Sequence, residues 1–232
     1  MALVVFDLDG TLIDSRQDLA DSTNAVLESL GAPPLPRDRV VMMIGEGARV
    51  LVQKALEASS LPSEDGPLDD ALSRFHECYR SRLLANTRPY PGVSAMLEEM
   101  STLARLAMLT NKPLSPSRRL VDAFGWAGHF MRVIGGDGDV PRKPDPEGLR
   151  QLMNEANAGP ESTLLVGDSM IDVETARNAG VAMCVAKYGI GTARGDLRLR
   201  GDEWIAETGE DVGRVIREWQ RAAQRGPRVD DC

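Results

Sequence analysis

The stretch that decides the fold is Leu3-Val4-Val5-Phe6-Asp7-Leu8-Asp9-Gly10-Thr11-Leu12-Ile13-Asp14-Ser15. Four apolar residues followed by an abrupt change to acid and glycine predict a buried strand that ends in a loop. Asp7 and Asp9 stand two residues apart at the strand's carboxyl end. In extended backbone that spacing points both side chains the same way. Burying two carboxylates together is costly unless a cation or several donors meet them. A divalent metal is the simplest partner, and Mg²⁺ favours carboxylate oxygens. Gly10 permits a turn, and the Thr11 hydroxyl can bond a neighbouring carboxylate. A lone D-x-D-G would more often be an acidic turn and nothing else.

Beyond this strand the pattern turns helical. Ser15 stands where an N-cap belongs, and Leu19, Val26, Leu27 and Leu30 recur at helical spacing until Gly31. A proline-rich loop follows, then a short helix around Val40 to Ile44. Gly45-Glu46-Gly47-Ala48-Arg49 reads as a glycine-rich turn opening an amphipathic helix with Leu51, Lys54 and Leu56. After a break at Pro62 to Pro67, another helix runs to Leu84. No β-like alternation occurs from Ser15 to Leu84, so residues 16–88 are expected to form an inserted helical cap.

From Pro89 apolar runs alternate with helical segments. The runs are Leu106 to Leu109, Met131 to Ile134, Thr163 to Gly167 and Val181 to Ala186. Helices are expected at Val93 to Leu103, through Leu120 to Phe124, at Leu149 to Ala156, at Val173 to Asn178 and at Glu210 to Ala223, with a frayed tail from Gly226 to Cys232. Strands alternating with helices predict an α/β fold, a Rossmann-like parallel sheet built from residues 1–15 and 89–232. Asp7, Thr110 and Asp168 each end an apolar run. Ligands of open parallel sheets bind outside those carboxyl ends, so the fold rules alone bring two acids and a hydroxyl to one edge.

Composition narrows the function classes. The 232 residues carry a net charge of −8, with no basic run to offset it, which argues against nucleic-acid binding. No apolar stretch approaches the roughly 20 residues of a membrane span. The sequence enters its first strand at once, with no signal peptide, and a cytoplasmic protein is expected. Cys78, Cys184 and Cys232 are too widely spaced for a zinc pattern or a disulfide framework and read as reduced thiols.

The full run Asp7-x-Asp9-Gly10-Thr11-Leu12-x-Asp14-Ser15 resembles the nucleophile motif of the haloacid dehalogenase-like hydrolases. Three further segments extend the resemblance: Leu109-Thr110-Asn111-Lys112, Arg142-Lys143-Pro144-Asp145-Pro146, and Gly167-Asp168-Ser169-Met170-Ile171-Asp172 in its G-D-x-x-x-D form. The resemblance implies that Asp7 attacks phosphorus and that Asp9 serves as acid and then base. It implies that Thr110, with neighbouring N–H groups and Asn111, and Lys143 hold the phosphoryl oxygens. It assigns Mg²⁺ to Asp7, the Asp9 carbonyl and Asp168, with Asp172 acting through water. A carboxylic acid at position 9 goes with phosphate-ester hydrolysis.

Gly45-x-Gly47-Ala48 with Leu51-Val52-x-Lys54-Ala55-Leu56, Pro89-Tyr90-Pro91-Gly92-Val93, Gly135-Gly136-Asp137 and Lys187-Tyr188-Gly189 resemble phosphoglycolate phosphatases more narrowly. Glu46, Met170 and Ile171 depart from that pattern. The implied substrate is a small phosphate ester, 2-phosphoglycolate; beside the anion-binding turn at Gly47, Arg49 and Lys54 are the nearest cations available to its carboxylate, and i, i+3 spacing lets Glu46 pair with Arg49. A pyrophosphatase, a nucleotide or sugar-phosphate phosphatase, a phosphoglucomutase, or a catalytically idle phospho-ligand binder are the alternatives. Whether the protein is a monomer or a dimer is left open by the sequence.

Overall fold

The computed structural model describes residues 1–224, so the expected fraying from Gly226 lies outside the described residues. In chain order the elements are β1 (Leu3–Phe6), β2 (Ile13–Asp14), α1 (Arg16–Ser29), α2 (Arg37–Val41), α3 (Ala48–Ala58), α4 (Asp65–Arg82), β3 (Arg88–Pro89), α5 (Val93–Leu103) and β4 (Arg105–Leu109). They continue with α6 (Leu114–Ala123), β5 (Phe130–Ile134), α7 (Glu147–Ala156), β6 (Thr163–Gly167), α8 (Met170–Ala179), β7 (Ala182–Ala186), β8 (Trp204–Ala206) and α9 (Gly209–Gln224).

Six strands form one parallel sheet in the order β5-β4-β1-β6-β7-β8. The chain builds outward from β1 through β4 to β5, then returns to lay β6 on the other side of β1. That reversal opens a crevice at the carboxyl ends of β1 and β6. Both faces of the sheet are covered, which is why the central strands read as unbroken apolar runs. Val4 and Phe6 pack with Leu97, Met100, Val215 and Ile216 of α5 and α9. Leu3 and Val5, pointing the other way, pack with Leu149, Leu152, Val173 and Ala176 of α7 and α8. Each such side chain contributes about 1.5–3 kcal/mol on leaving water. The strands that carry the acids are therefore held by the best-packed part of the molecule.

Between β1 and β3 the chain is helical, as its pattern predicts. Helix α1 packs on α2, α3 and α4, and α3 packs on α4. The segment's entry and exit are joined by a two-stranded antiparallel ribbon that sets Ile13 opposite Pro89 and Asp14 opposite Arg88. Beside the ribbon, the buried Asp18 carboxylate of α1 accepts from the backbone N–H groups of Asn86 and Thr87, the Asn86 amide and the Thr87 hydroxyl, at 2.7–3.0 Å. Burial alone would raise its pKa, but these four donors outweigh it and hold the carboxyl below its ordinary range.

Four details differ from the sequence reading. Helix α4 starts at Asp65, inside the expected break, because Pro67 falls in the first turn, where the missing N–H has no helical acceptor anyway. Helix α8 starts three residues early, at Met170, behind an N-cap at Ser169. The ribbon strands β2 and β3 and the edge strand β8 are two or three residues long, too short for any period to show. Ser15 does occupy the N-cap of α1, but its hydroxyl makes no cap bond. It donates to Asp9 Oδ1 at 2.6 Å instead.

Candidate active site

The carboxyl ends of β1, β4 and β6 bring Asp7, Thr110 and Asp168 to one edge, each buried. A single carboxylate oxygen from each of Asp7, Asp168 and Asp172 lies within 4.8 Å of the other two. Asp172 joins them because α8 turns immediately after β6. Its Oδ2 accepts from the Ser169 backbone N–H at 3.1 Å and from the Ser169 hydroxyl at 2.6 Å, locking the first turn. Its Oδ1 accepts from the Lys143 ammonium at 2.6 Å, and Lys143 also reaches Asp7 Oδ1 at 2.9 Å. Asp168 accepts from the Thr11 hydroxyl at 3.2 Å and the Gly191 N–H at 2.6 Å. Gly10, at φ +91°, has to be glycine: a Cβ there would stand 2.1 Å from Asp168 Oδ2. The direct contact of Lys143 with Asp172 gives that acid a partner within the protein.

The charge balance of this edge is uneven. Three buried carboxylates face one buried ammonium. Burial pushes Asp7 up to about 6 against the pull of Lys143, and Asp172 pushes the same way. Burial, then Asp172 and Asp7, lift Asp168 well above its ordinary range. Lys143 is opposed by its own burial, yet Asp172 and Asp7 outweigh this and hold it firmly protonated. Such a surplus of negative charge fits a divalent cation, and the donor set is the all-oxygen kind that Mg²⁺ takes.

Asp9 is not part of this trio and has partners of its own. The Lys112 ammonium reaches both of its oxygens at 3.1 Å, and Ser15 holds Oδ1. Lys112 also donates to the Tyr79 hydroxyl of α4 at 2.6 Å and lies 4.5 Å from that ring's centroid. Sequence reasoning quoted Lys112 within a motif but gave it no role. Its pairing with Tyr79, 33 residues earlier, has no local signature.

An inner cavity of about 50 Å³ opens onto Asp7, Asp9 and Thr110. Its other wall is the glycine-rich turn before α3, with Gly47 and Ala48, and the side chains of Phe75 and Tyr79 from α4. Thr110 Oγ1 accepts from the Lys112 N–H at 3.2 Å, which leaves its proton to donate. The Asn111 amide nitrogen donates to the carbonyls of Gly45 and Lys143, at 3.2 and 3.0 Å, and so spans the cavity's two walls. Asn111 itself lines the cavity, and its Oδ1 is buried with no hydrogen-bond partner.

Arg49 and Lys54 stand elsewhere. Arg49 is paired with Asp69 at 2.5 Å and Asp65 at 3.2 Å, and it lines an outer groove rather than the cavity. Lys54 is paired with Glu46 at 2.5 Å. The expected Glu46–Arg49 pair does not form: Lys54, two turns further along, takes Glu46 because α4 supplies Arg49 with two acids of its own.

Comparison with known proteins agrees with this geometry. The family model for haloacid dehalogenase-like hydrolases matches residues 4–186. A phosphoglycolate phosphatase of Rhodospirillum rubrum is 41% identical over 191 residues, covering 80% of this chain and 79% of that one. Phosphoglycolate phosphatase 1 of Pseudomonas aeruginosa is 40% identical, covering 83% and 71%. A crystal structure of a predicted phosphoglycolate phosphatase from Haemophilus somnus superposes with a TM-score of 0.86 at 30% identity, covering 93% of this chain and 98% of that one. The chain thus belongs to the haloacid dehalogenase-like hydrolases, in the branch whose curated members are phosphoglycolate phosphatases.

Proposed function

We propose that this hydrolase is a Mg²⁺-dependent phosphomonoesterase that acts on 2-phosphoglycolate through a phosphorylated Asp7, with residues 16–88 serving as the cap over the catalytic edge. The observation that carries the reading is the Asp7–Lys143–Asp172 arrangement beside Asp168, facing a separately held Asp9. This arrangement supports a reading in which one carboxylate attacks and another, differently partnered, moves a proton. The names of the relatives supply the substrate.

Asp7 lies in the cavity wall, and its Oδ2 is not taken by Lys143. An Asp7 oxygen attacks phosphorus, the ester P–O bond breaks, and Asp9 gives its proton to the departing alkoxide. Asp9 then takes a proton from water. The oxygen of that water attacks the acyl phosphate, the bond from phosphorus to Asp7 breaks, and inorganic phosphate leaves with Asp7 restored. Thr110, Lys143 and backbone N–H groups hold the phosphoryl oxygens during both displacements. Asp7, Asp168 and the Asp9 carbonyl would hold Mg²⁺, with Asp172 placed behind them. When bound, the ion neutralises charge between nucleophile and phosphoryl group.

The cavity favours a small ester over a nucleotide: one water already needs about 10–15 Å³ of such space, and this cavity offers about 50 Å³. The test is a panel of phosphate esters with Mg²⁺ and with excess chelator, read as kcat/KM. Phosphoglycolate is expected to lead the panel and chelation to abolish turnover. Full activity in chelator, or a nucleotide monophosphate as best substrate, would contradict the reading.

A further inference from the structure

A substrate that carries a carboxylate next to its phosphate needs a second cation, because the core's Lys143, paired with Asp7 and Asp172, serves the phosphoryl group. Arg49 lies on the outer groove and is engaged by Asp65 and Asp69, and Lys54 is engaged by Glu46. His76, which does line the cavity, is held neutral by burial and by Arg80, its pKa lowered. Among the described residues lining the inner cavity, Lys112 is the one ammonium. Its side chain is 3% exposed.

We infer that Lys112, seated by Tyr79 of the helical segment, is the residue that recognises the substrate's carboxylate and so sets specificity. The inference rests on the phosphoglycolate reading and replaces the cap cations as the source of selectivity. Three features carry it. Lys112 stands on the general-acid side of the cavity, where the leaving group must lie, since Asp9 protonates that group's oxygen. Asp9 keeps the Ser15 hydroxyl at 2.6 Å, so the ammonium can share its donors with a second carboxylate without releasing Asp9. Tyr79 accepts from Lys112, which leaves the phenol's own proton to donate to the same anion. Burial and the negative charge of Asp9 raise the Tyr79 hydroxyl to about 12, so it carries that proton at neutral pH. Tyr79 and Lys112 come from opposite walls, so a ligand carboxylate bonded to both would hold the walls together. A neutral leaving group would not.

The test compares 2-phosphoglycolate with ethyl phosphate, which has a methyl group in place of the carboxylate. The readout is the ratio of kcat/KM for the two substrates in wild type, Lys112→Met, Lys112→Arg and Tyr79→Phe. Loss of a charged hydrogen bond in a buried site predicts that the ratio falls roughly 10- to 100-fold in Lys112→Met. A smaller fall is expected in Tyr79→Phe, and Lys112→Arg should recover part of the ratio. A ratio unchanged in Lys112→Met, with both substrates equally slowed, would overturn the inference and assign Lys112 to holding Asp9 alone. A wild-type enzyme that turns over both esters equally would overturn it while leaving the phosphatase reading intact. Failure to hydrolyse either ester would sink the phosphatase reading itself.

Discussion

Two buried carboxylate sites in this molecule are built on opposite principles. Asp18, under the ribbon that joins the helical segment to the sheet, meets four donors and carries a lowered pKa. Asp7, Asp168 and Asp172, at the sheet's central edge, share one lysine, and Asp7 and Asp168 carry raised pKa values. The first site is complete and adds stability. The second is short of positive charge and spends stability that the surrounding core supplies. A buried acid with all its donors marks structure, whereas a cluster left short of them marks the place where a ligand belongs.

The sharpest way to break this comparison is to remove one acid from each site. Asp7→Asn should lower turnover by at least about 10³-fold, as expected when a nucleophile is lost. The variant should be no less stable than wild type in chelator, since a carboxylate with a raised pKa has been neutralised. Asp18→Ala should do the reverse: stability falls by about 2–3 kcal/mol because several buried donors lose their acceptor, while kcat of the folded enzyme stays within a few-fold. Urea melts and initial rates on the two variants check both halves.

The pH dependence separates the sites further. The folded chain holds the Asp7 and Asp168 protons more tightly than the unfolded chain does. In chelator their contribution therefore destabilises progressively as pH rises above the ordinary aspartate value, for Asp7 through about 6. Asp18 has the opposite sign: its contribution is present above the ordinary aspartate value and is lost as pH falls through its lowered value. Adding Mg²⁺ at a hundredfold excess over its Kd should raise the melting midpoint by roughly 5–10 °C at pH 7.5. At pH 4.5, below the raised value of Asp7, the rise should largely vanish. An equal rise at both values would mean that the ion binds elsewhere.

The smallest expected effect concerns Arg49 and Lys54. Arg49→Ala and Lys54→Ala remove half-exposed side chains in surface ion pairs worth about 0–1 kcal/mol. Each should change kcat/KM for phosphoglycolate less than about threefold, against the larger fall expected for Lys112→Met. A large loss in Arg49→Ala would return substrate selection to the outer groove.

What the sequence made legible followed from local pattern and from fold rules. The run ending at Asp7, its counterparts ending at Thr110 and Asp168, and the rule that open parallel sheets bind ligands at the carboxyl ends of their strands together place three chemical groups on one edge. Lys143 and Asp172 came from motif resemblance, because nothing in their own neighbourhoods distinguishes them from a surface lysine and a helix N-terminal acid. The donors to Asp18 come from 68 and 69 residues away, and Tyr79 reaches Lys112 across 33. Pairings of that range depend on how the helical segment packs, so no periodicity announces them. The Glu46 partner was misassigned for a related reason: i, i+3 spacing makes Arg49 a neighbour, but α4 decides which cation is already occupied.

The central claim is that the edge short of positive charge performs phosphoryl transfer with Asp7 as nucleophile. Acid quenching of wild-type enzyme during turnover of 2-phosphoglycolate with Mg²⁺, followed by peptide mass spectrometry, tests it most directly. The account predicts one phosphoryl group on the peptide containing Asp7, absent when chelator is present throughout turnover and missing in Asp7→Asn. Turnover with no phosphorylated peptide trapped, with the group on another residue, or undiminished in Asp7→Asn would contradict it.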